Sequence, residues 1–397
     1  MVSLAAQRTR SRTAHAFGFG LSLAMLSAPI KVLMTADTVG GVWTYALGLC
    51  RGLAARGGRV TLVSFGEPAS EAQRAEVAEL AGITLVETRY KLEWMQDPWA
   101  EVDQAGRFLQ DLARAERPDL VHLNGYAHAP LPWPVPVVVV AHSCVFTWWQ
   151  AVHGCRPPRD QYGEYGRRVR AGLDAADAVV APTRAMLAGL REAYRWPGEG
   201  TVIPNGIDLS GMAPPPKKAV IASAGRLWDP AKGIGLLEKV APALLWPLVV
   251  AGAGREMDGP ETRVRNLRLL GKLSPRQMRA LFAEASIYAA PVRYEPFGLS
   301  ILEAAEAGCA LVLSDLASLR ENWDHAAEFV HPHDPEAWRD ALNGLAGDET
   351  RRRRLASLAV HRAQRFSNSR MVDGYVELYA SLLERSGARP ITEGLVA

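Results

Sequence analysis

Seven short apolar runs punctuate the first half of the chain, at 31–35, 60–65, 84–86, 120–123, 135–141, 178–180 and 201–203. Each is too short for a buried helix and is bounded by polar or turn residues, so each reads as a strand. Between the first two, Val42, Ala46, Leu49 and Leu53 recur at helical spacing over 42–55, and Gly57-Gly58 stops the helix. The pattern then restarts, predicting strands at 220–224, 248–251, 267–270, 286–291 and 310–313, with helices at 233–243, 275–285 and 301–307. A last helical stretch covers 371–383. Strands that alternate with helices predict parallel, doubly wound sheets, here two α/β domains in series. Pro204-Asn205-Gly206-Ile207-Asp208, with Pro214-Pro215-Pro216 beyond it, is the clearest linker. The expected organisation is a disordered extension at 1–30, a first domain at 31–208, a second at 209–370, and a final helix and tail at 371–397.

Composition narrows the class. A chain of 397 residues exceeds one ordinary core, and 48% hydrophobic with 22% charged residues excludes a disordered or fibrous protein. The net charge of +3, without a Lys/Arg stripe interleaved with aromatics, argues against a nucleic-acid partner. Cys50, Cys144, Cys155 and Cys309 lack zinc or redox spacing and read as reduced thiols of a cytoplasmic protein. No apolar run is long enough to span a membrane. Arg351-Arg352-Arg353-Arg354 reads as a solvated face between helical segments, with peripheral contact to anionic lipid at the inner membrane face as the alternative. Arg8, Arg10 and Arg12 before the apolar stretch 16–25 imitate a signal peptide; an unstructured extension ahead of Met25 is the reading adopted.

The chemistry concentrates in loops that follow strands. Tyr294-Glu295-Pro296-Phe297-Gly298-Leu299-Ser300-Ile301-Leu302-Glu303 places one carboxylate before a helix start and another about one turn into it. Free backbone N–H groups at such a start suit a phosphate, and carboxylates suit sugar hydroxyls. The plain alternative is a helix start with acidic residues placed for the dipole. Gly225-Arg226-Leu227-Trp228-Asp229-Pro230-Ala231-Lys232-Gly233 carries two cations in one strand-end loop, enough to hold a diphosphate without metal, or else two surface cations. No Asp-x-Asp occurs, so the usual carboxylate handle for a nucleotide-bound Mg²⁺ is missing and no metal is expected. Ala251-Gly252-Ala253-Gly254 has Met257 at the third glycine position and does not support NAD. His142 closes a strand and is a site candidate, whereas His122 lies within one and reads as core. Trp148 and Trp149, in a loop with Phe146, are either packing or a platform for the apolar face of a sugar or lipid. His331-Pro332-His333-Asp334-Pro335 reads as a helix cap rather than a metal site. A Ser-His-Asp hydrolase is not expected, because the chain has no GxSxG elbow.

The Glu295-to-Glu303 stretch resembles the Glu-x7-Glu motif of the retaining glycosyltransferases of family 4. So do Gly225-Arg226 with Lys232-Gly233, Pro204-Asn205-Gly206-Ile207-Asp208, and Gly40-Gly41-Val42, in matching order across most of residues 31–385. The resemblance implies a GT-B architecture: two Rossmann-like domains facing across a cleft, the C-terminal helix crossing back to the first. It implies a nucleotide-sugar donor on the second domain, with Arg226 and Lys232 on the diphosphate and Glu303 on the ribose. Glu295, Phe297, Gly298 and Leu299 would meet the donor, with His142 and Gly41 closing from the first domain. Glu295 and His142 would be the catalytic pair, and Trp148 and Trp149 the acceptor contacts. Cys144 to Arg168, which would face the acceptor, matches nothing assignable.

The implied activity is retaining transfer of a hexose-type sugar from a UDP- or GDP-linked donor to a glycan, lipid or small-molecule hydroxyl. No metal or other cofactor is expected, and bacterial surface polysaccharide or glycolipid synthesis is the expected setting. Retention is expected by attack on the face the leaving group departs from, because no nucleophile is evident. The alternatives are a GT-B enzyme of other chemistry, such as a nucleotide-sugar epimerase or a phosphorylase, and a non-catalytic nucleotide-sugar binding protein. Pyridoxal absorbance would mark a phosphorylase, and absence of turnover a binding protein.

Overall fold

A computed structural model of the chain describes residues 29–38, 40–208, 216–254 and 264–387. The N-terminal basic and apolar stretch, Pro214-Pro215 and Met257 lie outside these residues. The first series runs β1 (Lys31–Asp37), α1 (Gly41–Ala54), β2 (Arg59–Phe65), α2 (Glu71–Ala78), β3 (Ile83–Glu87), α3 (Trp99–Glu116) and β4 (Leu120–Leu123). It continues through β5 (Val137–Val140), α4 (Val145–His153), α5 (Arg159–Ala175), β6 (Ala178–Ala181), α6 (Arg184–Tyr194) and β7 (Thr201–Val202). The second begins β8 (Lys218–Ala224), α7 (Ile234–Val240), β9 (Leu248–Ala251), β10 (Arg268–Leu269), α8 (Pro275–Glu284), β11 (Ala285–Ala290) and α9 (Leu299–Glu306). Its remainder is β12 (Ala310–Ser314), α10 (Ala317–Trp323), β13 (Glu328–Val330), α11 (Pro335–Gly347) and α12 (Glu349–Ala363), before α13 (Asn368–Arg385).

The strands form two separate sheets, ordered β3-β2-β1-β4-β5-β6-β7 and β10-β9-β8-β11-β12-β13. Every pairing is parallel. Helices cover both faces, which is why β5 (VVVV) and β11 (ASIYAA) are buried at every position instead of alternating. In the first sheet the strand order reverses between β1 and β4, and in the second between β8 and β11. Those are the crevices where open parallel sheets bind ligands.

One face of the first sheet packs on Leu49 and Leu53 of α1 and on Val372, Tyr375 and Tyr379 of α13; the other packs on α3, α5 and α6. The last helix therefore belongs to the core of the first domain, as the GT-B architecture requires. It can lie this close because α1 carries Gly48 and Gly52 one turn apart. A Cβ on Gly52 would stand 2.3 Å from Val372 Cγ2. The two chain passages between the sheets run side by side: Ile207 N donates to Phe366 O (3.1 Å), and Asn368 N donates to Ile207 O (2.8 Å).

Several expectations need correction. Phe146, Trp148 and Trp149 are on helix α4, not in a loop, and Cys144 to Arg168 comprises that helix and much of α5. The signal that was missed is punctuation: the Cys144 sulfur accepts from Thr147 N at the start of α4, and left-handed Gly154 ends it. Arg351 to Arg354 lie inside α12, not between helices. Arg351 pairs with Glu328 at 2.9 Å, Arg352 stacks 4.7 Å from the Trp246 ring centroid, and Arg353 pairs with Glu349 at 2.6 Å. Three of the four cations are thus committed within the fold. Asp334 does cap α11, accepting from Ala337 N at 3.0 Å.

Candidate functional site

The residues singled out from the sequence collect at the two strand-order reversals. Beyond β8, the chain leaves the sheet at Gly225 and makes a 3-10 turn over Pro230–Lys232. Asp229 organises this loop from a buried position (3% exposed). It accepts from Ala231 N (2.9 Å), from Arg226 Nη2 (2.7 Å) and from Trp148 Nε1 (3.2 Å). Arg226 also lies 5.2 Å from the Trp228 ring centroid, so its guanidinium is fixed from two sides. Gly233 must be glycine: φ is +66°, and a Cβ there would fall 1.9 Å from Pro291 O. That close approach seats the loop of Lys232 directly against the loop that follows β11.

The contact brings Lys232 Nζ within 2.7 Å of Glu295 Oε2, both side chains being largely shielded from water. Ser318 Oγ donates to the Glu295 carbonyl at 2.6 Å and holds its backbone. Gly298, at φ +90°, starts α9 without a side-chain cap, so the first helical N–H groups are left for an anion. Glu303 follows in α9, and burial pushes its carboxyl up to about 7 against the opposing charge of Arg279. Phe297 is placed otherwise than its expected donor contact suggests. Its ring is 3% exposed and packs edge-to-face on Phe366, so only its backbone is available to a ligand.

The first domain contributes Gly41, His142 and their supports. Gly41 opens α1 opposite Leu299 of α9; a Cβ on Gly41 would lie 3.3 Å from Leu299 Cδ1, so the sheets nearly touch here. His142 is half-buried, and its Nε2 is 2.8 Å from Asn124 Oδ1. The Asn124 amide is itself oriented, because its Nδ2 donates to Thr35 O at 2.6 Å and its backbone N to Thr35 Oγ1 at 3.0 Å. Nε2 therefore carries the proton, and Nδ1 is the acceptor atom. Burial pulls His142 down to about 3, so the imidazole is neutral near pH 7. Tyr45 packs edge-on against it at 4.4 Å between centroids. His122 is core, as read from the sequence: it is fully buried between Tyr45 Oη (3.3 Å) and Tyr379 Oη (2.6 Å).

The two tryptophans separate. Trp148 turns its indole N–H across to Asp229 of the second domain. Trp149 packs on His153 (4.4 Å) and Tyr162 (5.3 Å) within the first. Sequence reasoning missed Asp229, Asn124 and Tyr294. All three lie one to five positions past a strand, but that placement does not show what each side chain holds until the two domains are in place. Among the described residues no three His, Cys, Asp or Glu side chains converge as a metal site.

Chemically, the arrangement offers Arg226, Lys232 and free helix N–H groups for a diphosphate, two carboxylates for hydroxyls, and a neutral imidazole opposite. Each cation is held by a carboxylate, Arg226 by Asp229 and Lys232 by Glu295. An anionic group entering here exchanges these partners and does not meet bare charges.

The chain matches the family model described as Glycosyltransferase Family 4 over residues 39–210, and that described as Glycosyl transferases group 1 over 218–348. A D-inositol 3-phosphate glycosyltransferase from Xylanimonas cellulosilytica is 29% identical, covering 93% of this chain and 99% of the relative. A protein of the same name from Stackebrandtia nassauensis is 26% identical, covering 93% and 92%. Among solved structures, sucrose-phosphate synthase from Thermosynechococcus elongatus superposes with a TM-score of 0.77 at 17% identity, over 90% of this chain and all of that one. Anabaena HepE in complex with UDP-glucose gives 0.71 at 17%, over 89% and 100%.

Proposed function

Because the chain belongs to the family 4 glycosyltransferases of GT-B fold, we propose that it transfers a hexose, with retention and without metal, from a UDP-sugar to a small-molecule hydroxyl. The observation that carries this reading is the ion pair of Lys232 with Glu295 at the β8/β11 crevice, with Arg226 beside it. In this reading the diphosphate takes Lys232 and Arg226 together with the α9 N–H groups. Glu295, freed from Lys232, turns to the sugar. As the leaving diphosphate gains charge, those fixed donors stabilise it without reorganising. Glu303 holds the ribose. His142, neutral and held by Asn124, contributes hydrogen bonding at Nδ1 and transfers no proton of its own.

UDP is preferred over GDP as the donor nucleotide because HepE, one of the structural neighbours, is described with UDP-glucose. The acceptor class follows the names of the relatives, which act on D-inositol 3-phosphate; we place a phosphorylated cyclitol ahead of a glycan or lipid. The test incubates the protein with UDP- and GDP-hexoses and with D-inositol 3-phosphate, free inositol and a lipid-linked glycan, reading product by mass and its anomeric proton by NMR. Transfer from the UDP-sugar to the inositol phosphate, with the donor's anomeric configuration, is expected. An inverted product, or activity confined to a glycan or lipid acceptor, would overturn the corresponding part.

A further inference from the structure

Beside the bond of Trp148 to Asp229 and those of Glu321 to the N–H groups of Arg184 and Ala185, a further set of polar bonds between the two domains falls on one loop. Tyr294 Oη lies 2.8 Å from Thr147 Oγ1 and 3.3 Å from Cys144 N, both on the first turn of α4. Two residues on, Pro296 O accepts from Thr183 Oγ1 of the first domain at 3.0 Å. The residues on either side of Glu295 are thus each held by the opposite domain. Across the cleft, Cys144 is only two residues from His142. Consecutive Cα atoms are about 3.8 Å apart, so one contact between Tyr294 and Cys144 ties Glu295 and His142 together through two very short lengths of chain.

We propose that Tyr294 is a positioning residue: by docking its hydroxyl on the first turn of α4 it couples the approach of the two sheets to the alignment of Glu295 with His142. The inference rests on reading those two residues as facing halves of one site. The chemistry needs a hydroxyl that donates and accepts at once. Tyr294 Oη accepts from Cys144 N–H, pairs with Thr147 Oγ1, which also lies 3.1 Å from Cys144 O, and reaches Met186 Sδ of α6 at 3.6 Å. Phenylalanine keeps the ring and removes every bond of the hydroxyl, to Cys144 N, Thr147 Oγ1 and Met186 Sδ. When the domains separate, water replaces these bonds, so their net contribution is modest and the contact can open and close with each turnover.

The test compares Tyr294→Phe, Thr147→Val and the double variant in the full chain. Tyr294→Phe should lower kcat about tenfold while affinity for free UDP and the melting temperature stay at the parent's values. Thr147→Val removes one of these bonds and should cost less, and the double variant should be no slower than Tyr294→Phe alone. An independent readout places spin labels on exposed Cys155 and on an introduced Arg276→Cys in the second domain; the other three cysteines are buried. With UDP bound, the parent should give one narrow distance and Tyr294→Phe a broader, longer distribution. Multiplicative losses in the double variant, unchanged kcat, or a parallel loss of UDP affinity overturn the proposal. A parent that transfers nothing sinks the reading of the site instead. In that case identical label distances in the parent and Tyr294→Phe would still refute the coupling.

Discussion

Glu295 and Glu303 are both glutamates on one short stretch, yet their surroundings give them different work. Glu295 is paired with Lys232 and faces the cleft, so Glu295→Gln should depress saturating turnover far more than affinity for free nucleotide, the mark of an interaction felt in the transition state. Glu303→Gln should do the reverse, weakening UDP binding measured by calorimetry with little change in kcat. Burial sets the pH behaviour of Glu303. Its carboxyl is raised to about 7, so near neutrality the free protein holds it partly protonated. Ribose hydroxyls favour the ionised acceptor, so binding releases a proton. UDP affinity should rise from pH 6 to pH 8 and then level, and in Glu303→Gln that rise should vanish. Stability runs the opposite way: a carboxyl raised above its unfolded value favours the fold at low pH and loses that contribution as pH climbs from about 4.5 to 7. Buried Glu93, also raised to about 7 by burial, acts in the same sense. Arg226→Ala should weaken UDP about ten- to hundredfold, the loss of a charge-assisted bond worth about 1.5–3 kcal/mol. The residue types assigned to the donor were legible because they cluster in strand-end loops. Asp229 and Asn124, which only orient others, follow no period that a single sequence displays.

At the level of elements, the apolar runs located most of the strands because parallel strands covered on both faces cannot be polar anywhere. The exceptions have physical causes. β13 is three residues long and half-buried at two of them, too short to show a pattern. Helix α4 is apolar around much of its circumference and only nine residues long, so its helical period does not emerge. The arginine run of α12 was opaque because its partners, Glu328 and Trp246, come from elsewhere in the second domain. The close pairing of α1 with α13 gives the sharpest test of packing. Gly52→Ala would drive a methyl into Val372 and should destabilise the protein by about 1–3 kcal/mol, read by denaturant titration. Val372→Ala should recover part of that loss, so the two changes should be far from additive.

The whole molecule is two sheets joined at one crossing, and in the proposed reading Arg226 and Lys232 take the place of a metal on the diphosphate. Chelator treatment should therefore leave transfer unchanged, and a loss restored by Mg²⁺ or Mn²⁺ would refute the assignment of Arg226 and Lys232. The crossing at Ile207 and Ser367 has a second consequence, which concerns time. The first domain's core is completed by Val372, Tyr375 and Tyr379, near the end of the chain. On the ribosome, at roughly 5–20 residues per second, the face of α1 around Gly48 and Gly52 waits on the order of ten seconds or more for its cover. The second domain, whose strands and helices are contiguous, is synthesised within that interval and can begin to fold before α13 is made. A chain ended after Ser367 should bind a hydrophobic dye and aggregate, while a separately supplied 368–387 peptide should suppress both. In the newborn protein the second domain can therefore take shape before the core of the first is whole.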